Sequence, residues 1–95
     1  GSPPSMARVV WSRQALADLD AITAYIQRYD PSAAVRTRTR LSDLGDSLIF
    51  FPHRGRPKGD GHRQLTTAPP HIITYAVEGE DVTILSVHHG ARNID

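Results

Sequence analysis

Two amphipathic patterns separated by Asp30-Pro31 constrain the fold of this chain more than any other feature. Asp30 is a good helix N-cap, and proline fits the first helical position, where its missing N–H is no loss. Before this junction, apolar residues recur at the helical interval, at Ala15, Leu19, Ile22, Ile26 and Tyr29. After it, a second stripe is formed by Ala34, Leu41, Leu44, Leu48 and Phe51, and Pro52 is predicted to end the helix. A junction this short predicts an antiparallel helical hairpin.

The remaining apolar segments have the composition of β-strands. A first strand is predicted at residues 7–11, just before Ser12, which can cap the first helix. Three more strands are predicted at residues 62–67, 71–77 and 81–89, whereas the segment HRGRPKGDG is predicted to be an irregular loop. The order β-α-α-β-β-β predicts an α+β fold. In this fold the helical hairpin covers one face of a mostly antiparallel sheet that includes the N-terminal strand.

Length and composition indicate one domain and exclude several classes of site. Residues 6–95 are interpreted as a single domain, and the segment GSPPS at 1–5, ahead of Met6, as an expression-tag remnant. The absence of cysteine from the sequence excludes disulfides and thiolate metal sites, and it favours a cytoplasmic location. No apolar run approaches the roughly 20 residues that span a bilayer, so no membrane association is expected. The net charge of +1 is too small to indicate nucleic-acid binding by itself.

Two histidines, His88 and His89, stand side by side at the end of the last predicted strand. Alternation along a regular strand sends His88 to the side of Ile84 and His89 to the side of Val87. Both sides carry apolar residues, so the pattern leaves open which histidine faces the helices. Adjacent histidines that diverge cannot chelate one ion, and the sequence has no HxxxH or HExxH pair. We therefore expect no metal site and no cofactor.

A histidine near several arginines also suits acid–base chemistry at a phosphate. A metal-free ribonuclease needs a general base, a general acid and cationic side chains that hold the phosphate. Candidates for these roles are His89, Arg56, Arg63 and Arg92. The alternative is structural, with one histidine packed at the strand end and the other exposed to solvent. The sequence contains no GxSxG elbow and no standard phosphate-binding glycine loop.

The order and spacing of several short motifs resemble the RelE/ParE superfamily of bacterial type II toxins. The motifs are VVWSRQALADLDAITAYI, DPSAAV, FPHRGRP, RQL and HIITYAVEGEDVTILSVHHGAR, and together they span Arg8 to Arg92. Each motif is weak alone, and the resemblance depends on their order. It implies a small toxin paired with a cognate antitoxin, ParD-like or similar, in a heterodimer or heterotetramer. The toxin would then meet operator DNA only through the antitoxin.

The resemblance implies one of two activities. RelE-like toxins cut mRNA in the ribosomal A site, whereas ParE-like toxins inhibit DNA gyrase and lack that nuclease set. RelE-like chains tend to carry a Tyr-Arg pair entering the second-last strand, where this chain has His71-Ile72. They also tend to carry a catalytic aromatic after the last strand, where this chain has no aromatic residue beyond Tyr75. An apolar Ile72 cannot stabilise charge on a phosphate, so these departures favour a ParE-like gyrase inhibitor with no catalytic residues.

The residues expected to meet each partner follow from the same resemblance. We expect the target to be contacted by Arg56, Arg63, His89 and Arg92. We expect the antitoxin to bind the helical hairpin and one sheet edge through apolar contacts, with the contact residues Leu19, Ile22, Tyr25, Ile26 and Tyr29. Two alternatives stay open: an inactive protein that only pairs with its antitoxin, and a RelE-like endoribonuclease. The nuclease would use Arg63, His89 and Arg92.

Overall fold

The computed structural model of the protein describes residues 8–68 and 70–90 and consists of two helices packed on a five-stranded sheet. In chain order the elements are β1 (Val9–Trp11), α1 (Arg13–Gln27), α2 (Pro31–Ser47), β2 (Arg56–Pro57), β3 (His62–Ala68), β4 (His71–Glu78) and β5 (Asp81–His89). The strand order is β1-β5-β4-β3-β2, with β1 parallel to β5 and all other neighbours antiparallel. The predicted α+β architecture is confirmed. Within the described ranges, neither helix is long and apolar enough to cross a membrane.

Both predicted helix starts are confirmed by their caps. Ser12 Oγ accepts a hydrogen bond from the backbone N–H of Ala15 at 3.0 Å, which satisfies one donor of the first turn of α1. Asp30 Oδ1 accepts a hydrogen bond from the backbone N–H of Ala33 at 3.1 Å in the same way. Pro31 follows as the first residue of α2. The chain therefore leaves one helix and enters the next within a few residues, which forms the predicted hairpin.

The predicted C-terminal ends of both apolar stripes are wrong. The second helix ends at Ser47 rather than at Pro52, because the backbone N–H groups of residues 48–50 bond to carbonyls three residues back. Such bonds tighten the chain into turns that lead it out of the α-helix. Phe51 consequently leaves the buried stripe and is 60% exposed. Tyr29 lies beyond the end of α1 and is 70% exposed.

The segment predicted as an irregular loop contains a short edge strand. Arg56 pairs with Gln64 and Pro57 pairs with Arg63, which places β2 beside β3. Proline lacks the N–H that a central strand needs, but an edge strand tolerates it. Strands β3 and β4 each continue one residue beyond the prediction, and β5 matches it. The first strand begins at residue 9, and predicted position 7 lies outside the described residues.

The helices cover one face of the sheet, and the core lies between them. The buried apolar residues on the helical side are Ala15, Leu19, Leu41 and, directly after α2, Leu48, and those of the strands are Leu65, Ile73, Tyr75, Val82, Ile84 and Val87. The second helix lies close to β1 at Gly45, where an added Cβ would lie 2.4 Å from Cζ2 of Trp11. Glycine normally weakens a helix. Here it lets the helix backbone pack directly on the indole ring.

A β-bulge at Leu85 in β5 changes the face of every residue after it. Thr74 of β4 pairs with Ser86, and the next residue, Tyr75, pairs with Ile84, so Leu85 is an extra residue on the β5 side. One extra residue reverses the in-and-out alternation of the strand. Ile84 and Val87 are therefore both buried, although regular alternation would place them on opposite faces.

The start of α1 holds this bulge in place. Ser12 donates a hydrogen bond from Oγ to the carbonyl of Leu85 at 3.0 Å and another from its backbone N–H to the carbonyl of Ile84 at 2.9 Å. Further along the helix, Asp18 Oδ2 accepts a hydrogen bond from the backbone N–H of Val87 at 3.0 Å. A bulge interrupts the ladder of the sheet and leaves backbone groups that need other partners. The helix supplies those partners on both sides of the extra residue.

We expect Asp18→Ala to lower the free energy of unfolding by about 1–3 kcal/mol, because the part-buried N–H of Val87 loses its acceptor. The matched control is Asp20→Ala, which removes a carboxylate from the same helix. That carboxylate makes an exposed ion pair with Arg38 at 2.9 Å, so its loss is expected to cost about 0–1 kcal/mol. Urea denaturation of the wild type and both variants measures the difference. Equal losses in the two variants would contradict the role assigned to Asp18.

Candidate functional site

A cleft of about 500 Å³ opens between the two helices and the end of the sheet that carries His71 and His89. We call it the hairpin cleft. Its walls are mostly apolar, and its lining residues are Ala21, Ile22, Tyr25, Ile26, Ala33, Thr37, Pro70, His71 and His89. Concave, mostly apolar surfaces with a few polar groups are typical of binding sites. The hairpin cleft is therefore the first candidate for a functional site.

Two imidazole rings lie against each other in this cleft. His71 and His89 are direct partners in the antiparallel register of β4 and β5. Their ring centroids are 5.6 Å apart, and the ring planes are inclined at 80°, which is an edge-to-face contact. His71 is only 9% exposed and His89 is partly buried. The rings therefore sit on the helix-covered side of the sheet, beneath the hairpin.

The bulge at Leu85 is what brings these two rings together. The hairpin turn sets the register by pairing Glu78 with Asp81. If that register continued unbroken, His71 would lie opposite His88, but the extra residue moves its partner to His89. The alternation of side chains between the two sheet faces, as expected for a regular strand, is therefore reversed beyond Leu85. His89 shares the helix-covered face with Ile84, whereas His88 lies on the opposite face of the sheet.

The cleft changes the proton affinity of His71 and leaves one ring nitrogen unpaired. Burial lowers the pKa of His71, because a charged imidazole is poorly solvated there, and electrostatic repulsion from the nearby His89 lowers it further. His71 is therefore neutral at about pH 7. His89 Nδ1 is buried, and it has no hydrogen-bond partner within residues 8–68 and 70–90. Polar atoms in this situation are uncommon in proteins and call for an explanation.

Arg63, predicted to contact the target, holds a loop of its own chain. Its Nη1 donates hydrogen bonds to the carbonyl of Gly55 at 2.7 Å and to that of His53 at 3.3 Å. The buried Tyr75 fastens the same loop, since its hydroxyl donates to the carbonyl of Pro52 at 2.9 Å and accepts from the N–H of Gly55 at 2.8 Å. The side chains of β3 and β4 thereby fix the path from α2 into β2.

The side chains predicted to contact the target do not lie at one place on the described part of the protein. Arg63 lies opposite Tyr75, and His89 lies opposite His71, four residues away along β4, which corresponds to about 13 Å. Arg56 is exposed on the edge strand β2 and, being paired with Gln64, faces the other side of the sheet from Arg63. Arg92 lies outside the described residues.

The residues predicted to bind the antitoxin are closer together. Ile22, Tyr25 and Ile26 all line the hairpin cleft. Tyr29 extends from its rim, 70% exposed, with its ring centroid 5.4 Å from that of Tyr25. Leu19 differs, because it is 3% exposed and its side chain packs in the core rather than on a surface.

Sequence reasoning did not include His71 in the site, nor Ala33 and Thr37, which α2 contributes to the cleft. The two α2 residues could have been predicted, because in a helical hairpin the start of the second helix lies beside the end of the first. His71 could be found only from the register of β4 and β5. The bulge that sets this register has no clear signature in the sequence.

The helical hairpin on an open, mostly antiparallel sheet is the architecture of the RelE/ParE superfamily of small toxins. The sequence profile of one of its families, described as the ParE toxin of the type II toxin–antitoxin system parDE, matches residues 9–94. The chain belongs to this ParE toxin family, and it is a toxin of the type II class. The predicted superfamily is confirmed.

The similar proteins include one named as a RelE toxin and one named as a ParE toxin. Toxin RelE2 of Caulobacter vibrioides is 45% identical over 87 residues, which covers 92% of this chain and 99% of the relative. The putative toxin Y4kP of Sinorhizobium fredii is 41% identical over 87 residues, covering 90% of each chain. Toxin ParE3 of Caulobacter vibrioides is 29% identical over 92 residues, covering 94% of this chain and 92% of the relative.

Solved structures agree on the fold. A chain of the chromosomal ParDE toxin–antitoxin system from Pseudomonas aeruginosa superposes with a TM-score of 0.77 at 27% identity, covering 88% of this chain and 96% of that one. A chain of the heterotetrameric YoeB–YefM toxin–antitoxin complex from Staphylococcus aureus gives a TM-score of 0.57 at 16% identity, covering 90% and 98%. At that identity the likeness shows the fold alone.

Because the pKa of His71 is lower in the folded chain than in the unfolded chain, the unfolded state binds more protons in acid. Stability from the neutral ring is complete above the unfolded value of 6.5 and decreases as the pH falls through it. We expect the free energy of unfolding, measured with urea and EDTA, to be lower at about pH 5.5 than at about pH 7.5.

In His71→Gln this difference between the two pH values is expected to shrink, whatever the absolute stability of the variant. The control is His53→Gln, which removes an exposed histidine and should keep the wild-type difference. Asp60 does not interfere, because its pKa is lowered from 3.8 by hydrogen bonding to the backbone of His62, and it titrates at more acidic pH. A full pH difference in His71→Gln would show that another group is responsible.

Proposed function

We propose that this chain inhibits DNA gyrase and is neutralised by a cognate, ParD-like antitoxin. The observation that supports an inhibitor over a nuclease is the separation of Arg63 from His89. A general base and a cationic clamp must both reach one phosphate, within hydrogen-bond distance of the atoms they serve. Arg63 and His89 start about 13 Å apart along β4, and Arg63 Nη1 is bonded to the carbonyls of Gly55 and His53, so in this arrangement the two side chains do not face one phosphate.

The contacts of the two residues support the same reading. Arg63 Nη1 is bonded to two backbone carbonyls, and Arg63 therefore stabilises the loop that leads into β2. His89 lies in the hairpin cleft beside His71 and away from the open face of the sheet. The two side chains are therefore not presented together on the open face of the sheet. A toxin built in this way acts by binding its target as a protein surface.

The gyrase contact in this proposal is made at the exposed edge strand β2. Arg56 is exposed there, and the exposed side chains of Arg54 and Lys58 lie close to it in sequence. Guanidinium groups form two parallel hydrogen bonds with carboxylates and suit acidic protein surfaces. Arg63 contributes by fixing the loop that carries Arg54. Arg92, which the structure does not describe, stays in the proposed contact set.

The antitoxin in this proposal occupies the hairpin cleft. Ile22 and Ile26 give the cleft an apolar wall, and the tyrosine pair Tyr25 and Tyr29 forms its rim. Tyrosines at the edge of apolar grooves are frequent centres of binding energy. The Pseudomonas ParDE system and the Staphylococcus YoeB–YefM heterotetramer are both toxin–antitoxin assemblies. We infer a heterodimer or heterotetramer in which the antitoxin alone contacts operator DNA.

The second candidate function is RelE-like cleavage of mRNA on the ribosome. It is favoured by one observation, the 45% identity to a relative named Toxin RelE2. The nuclease would have to use Arg63 and His89 in positions other than those described above, together with Arg92. The two candidates differ in target, so one pair of assays separates them.

We expect the purified chain to inhibit supercoiling of relaxed DNA by gyrase, and the cognate antitoxin to relieve the inhibition. Arg56→Ala is expected to weaken inhibition by about tenfold or more if Arg56 meets an acidic side chain on gyrase. The matched control is Arg13→Ala, which removes another exposed arginine, at the start of α1. Unimpaired gyrase in the presence of folded toxin, with cleaved mRNA on programmed ribosomes, would establish the second candidate instead.

Tyr29→Ala is expected to speed dissociation of the antitoxin by about tenfold, which corresponds to a hot spot of about 1.4 kcal/mol. The side chain is 70% exposed, so its removal should leave the fold intact. Val35→Ala is the matched control, because Val35 is also an exposed apolar residue of the hairpin, 66% exposed, but lies outside the cleft. Surface plasmon resonance measures both rates. Equal rates for wild type and Tyr29→Ala would remove Tyr29 from the antitoxin surface.

A further inference from the structure

The floor of the hairpin cleft carries a feature that protein docking does not require. His71 and His89 are directly opposed on neighbouring antiparallel strands. Directly opposed residues have Cβ atoms about 4.5–5.5 Å apart, so their side chains leave the sheet next to each other. Both rings enter the same cleft, where their centroids are 5.6 Å apart.

This separation is close to what two imidazole ligands of one metal ion need. A zinc ion lies about 2.0–2.1 Å from the ring nitrogen that binds it, and therefore about 3.2 Å from the ring centroid. Two rings at the tetrahedral angle around the ion then have centroids about 5.2 Å apart. The observed 5.6 Å differs from this value by an amount that small side-chain rotations provide.

The hydrogen-bonding state of the pair also points to a ligand. Within residues 8–68 and 70–90, two buried ring nitrogens have no hydrogen-bond partner, His89 Nδ1 on the cleft side and His88 Nε2 on the opposite face of the sheet. Buried polar side-chain atoms nearly always have a partner, so an unpaired ring nitrogen indicates a group that the protein alone does not supply. A metal ion bound through the ring would fix the orientation and tautomer of the imidazole.

We propose that His71 and His89 bind one divalent transition-metal ion of the zinc type at the floor of the hairpin cleft, with water at the remaining positions. Imidazole nitrogens suit zinc, copper and nickel, whereas magnesium and calcium prefer oxygen ligands. No group of three or more His, Asp, Glu or Cys side chains in the described part of the chain could hold a metal. The site therefore has two protein ligands within the described residues.

The sequence predicted no metal site, because it has no HxxxH or HExxH pair and because the adjacent histidines His88 and His89 were expected to diverge. Those two rings do diverge to opposite faces of the sheet. The pair that meets instead crosses from β4 to β5, through a register that the bulge at Leu85 creates. His88 is the control, because it also has a buried unpaired ring nitrogen but lies on the other side of the sheet opposite Ile72, with no second histidine beside it.

The first test uses the full chain and Zn²⁺ alone. Isothermal titration is expected to give saturable binding of one ion per chain. The imidazole ¹H–¹⁵N spectrum should show shifts at His71 and His89, while the signals of His53 and His88 stay in place. No saturable binding, or shifts confined to other histidines, would overturn the proposal, and neither result depends on whether a variant folds.

The second test compares three glutamine variants. His71→Gln and His89→Gln are each expected to weaken zinc binding by at least about tenfold, because one imidazole alone is a poor site. His88→Gln is expected to leave the affinity unchanged. Unchanged affinity in folded His71→Gln and His89→Gln would place the ion elsewhere and overturn the assignment. Gyrase inhibition has no part in either test, so this proposal stands or fails independently of the target.

Discussion

The clamp of α1 on the bulge at Leu85 is the interaction on which the rest of the structure depends. An extra residue in β5 leaves backbone groups without ladder partners, and Ser12 and Asp18 satisfy them from the helix. The same serine caps the helix, so helix start and strand register are fixed by one side chain. These hydrogen bonds therefore position the helical hairpin over the sheet, in addition to the packing of the core.

The register of the sheet then determines what lies in the hairpin cleft. Past Leu85 the residues of β5 exchange faces, which buries Val87 and carries His89 under the helices. Without that exchange, His71 would face His88. A polar pair on a covered face is unfavourable unless it finds partners, and burial lowers the pKa of His71 so that its ring stays neutral. One inserted residue thus sets both the packing and the chemistry of the cleft.

Local signals in the sequence predicted the fold well, and non-local pairings limited the prediction of the site. The caps at Ser12 and Asp30 depend on neighbouring residues, and both helix starts were predicted correctly. Strand β2 was missed because two residues containing proline carry too little periodicity, and they become a strand only by pairing with β3. The contact of His71 with His89 was missed for a related reason, since a bulge is stabilised by a helix far away in sequence.

The two proposed uses of the hairpin cleft constrain each other. An apolar partner segment can cover Ile22 and the tyrosine rim, but apolar atoms cannot satisfy a buried ring nitrogen such as His89 Nδ1. A partner that closes the cleft must therefore bring a hydrogen-bonding group to its floor or close over a ligand already bound there. A metal ion with open coordination positions meets the second condition, and those positions remain available to water or to the partner.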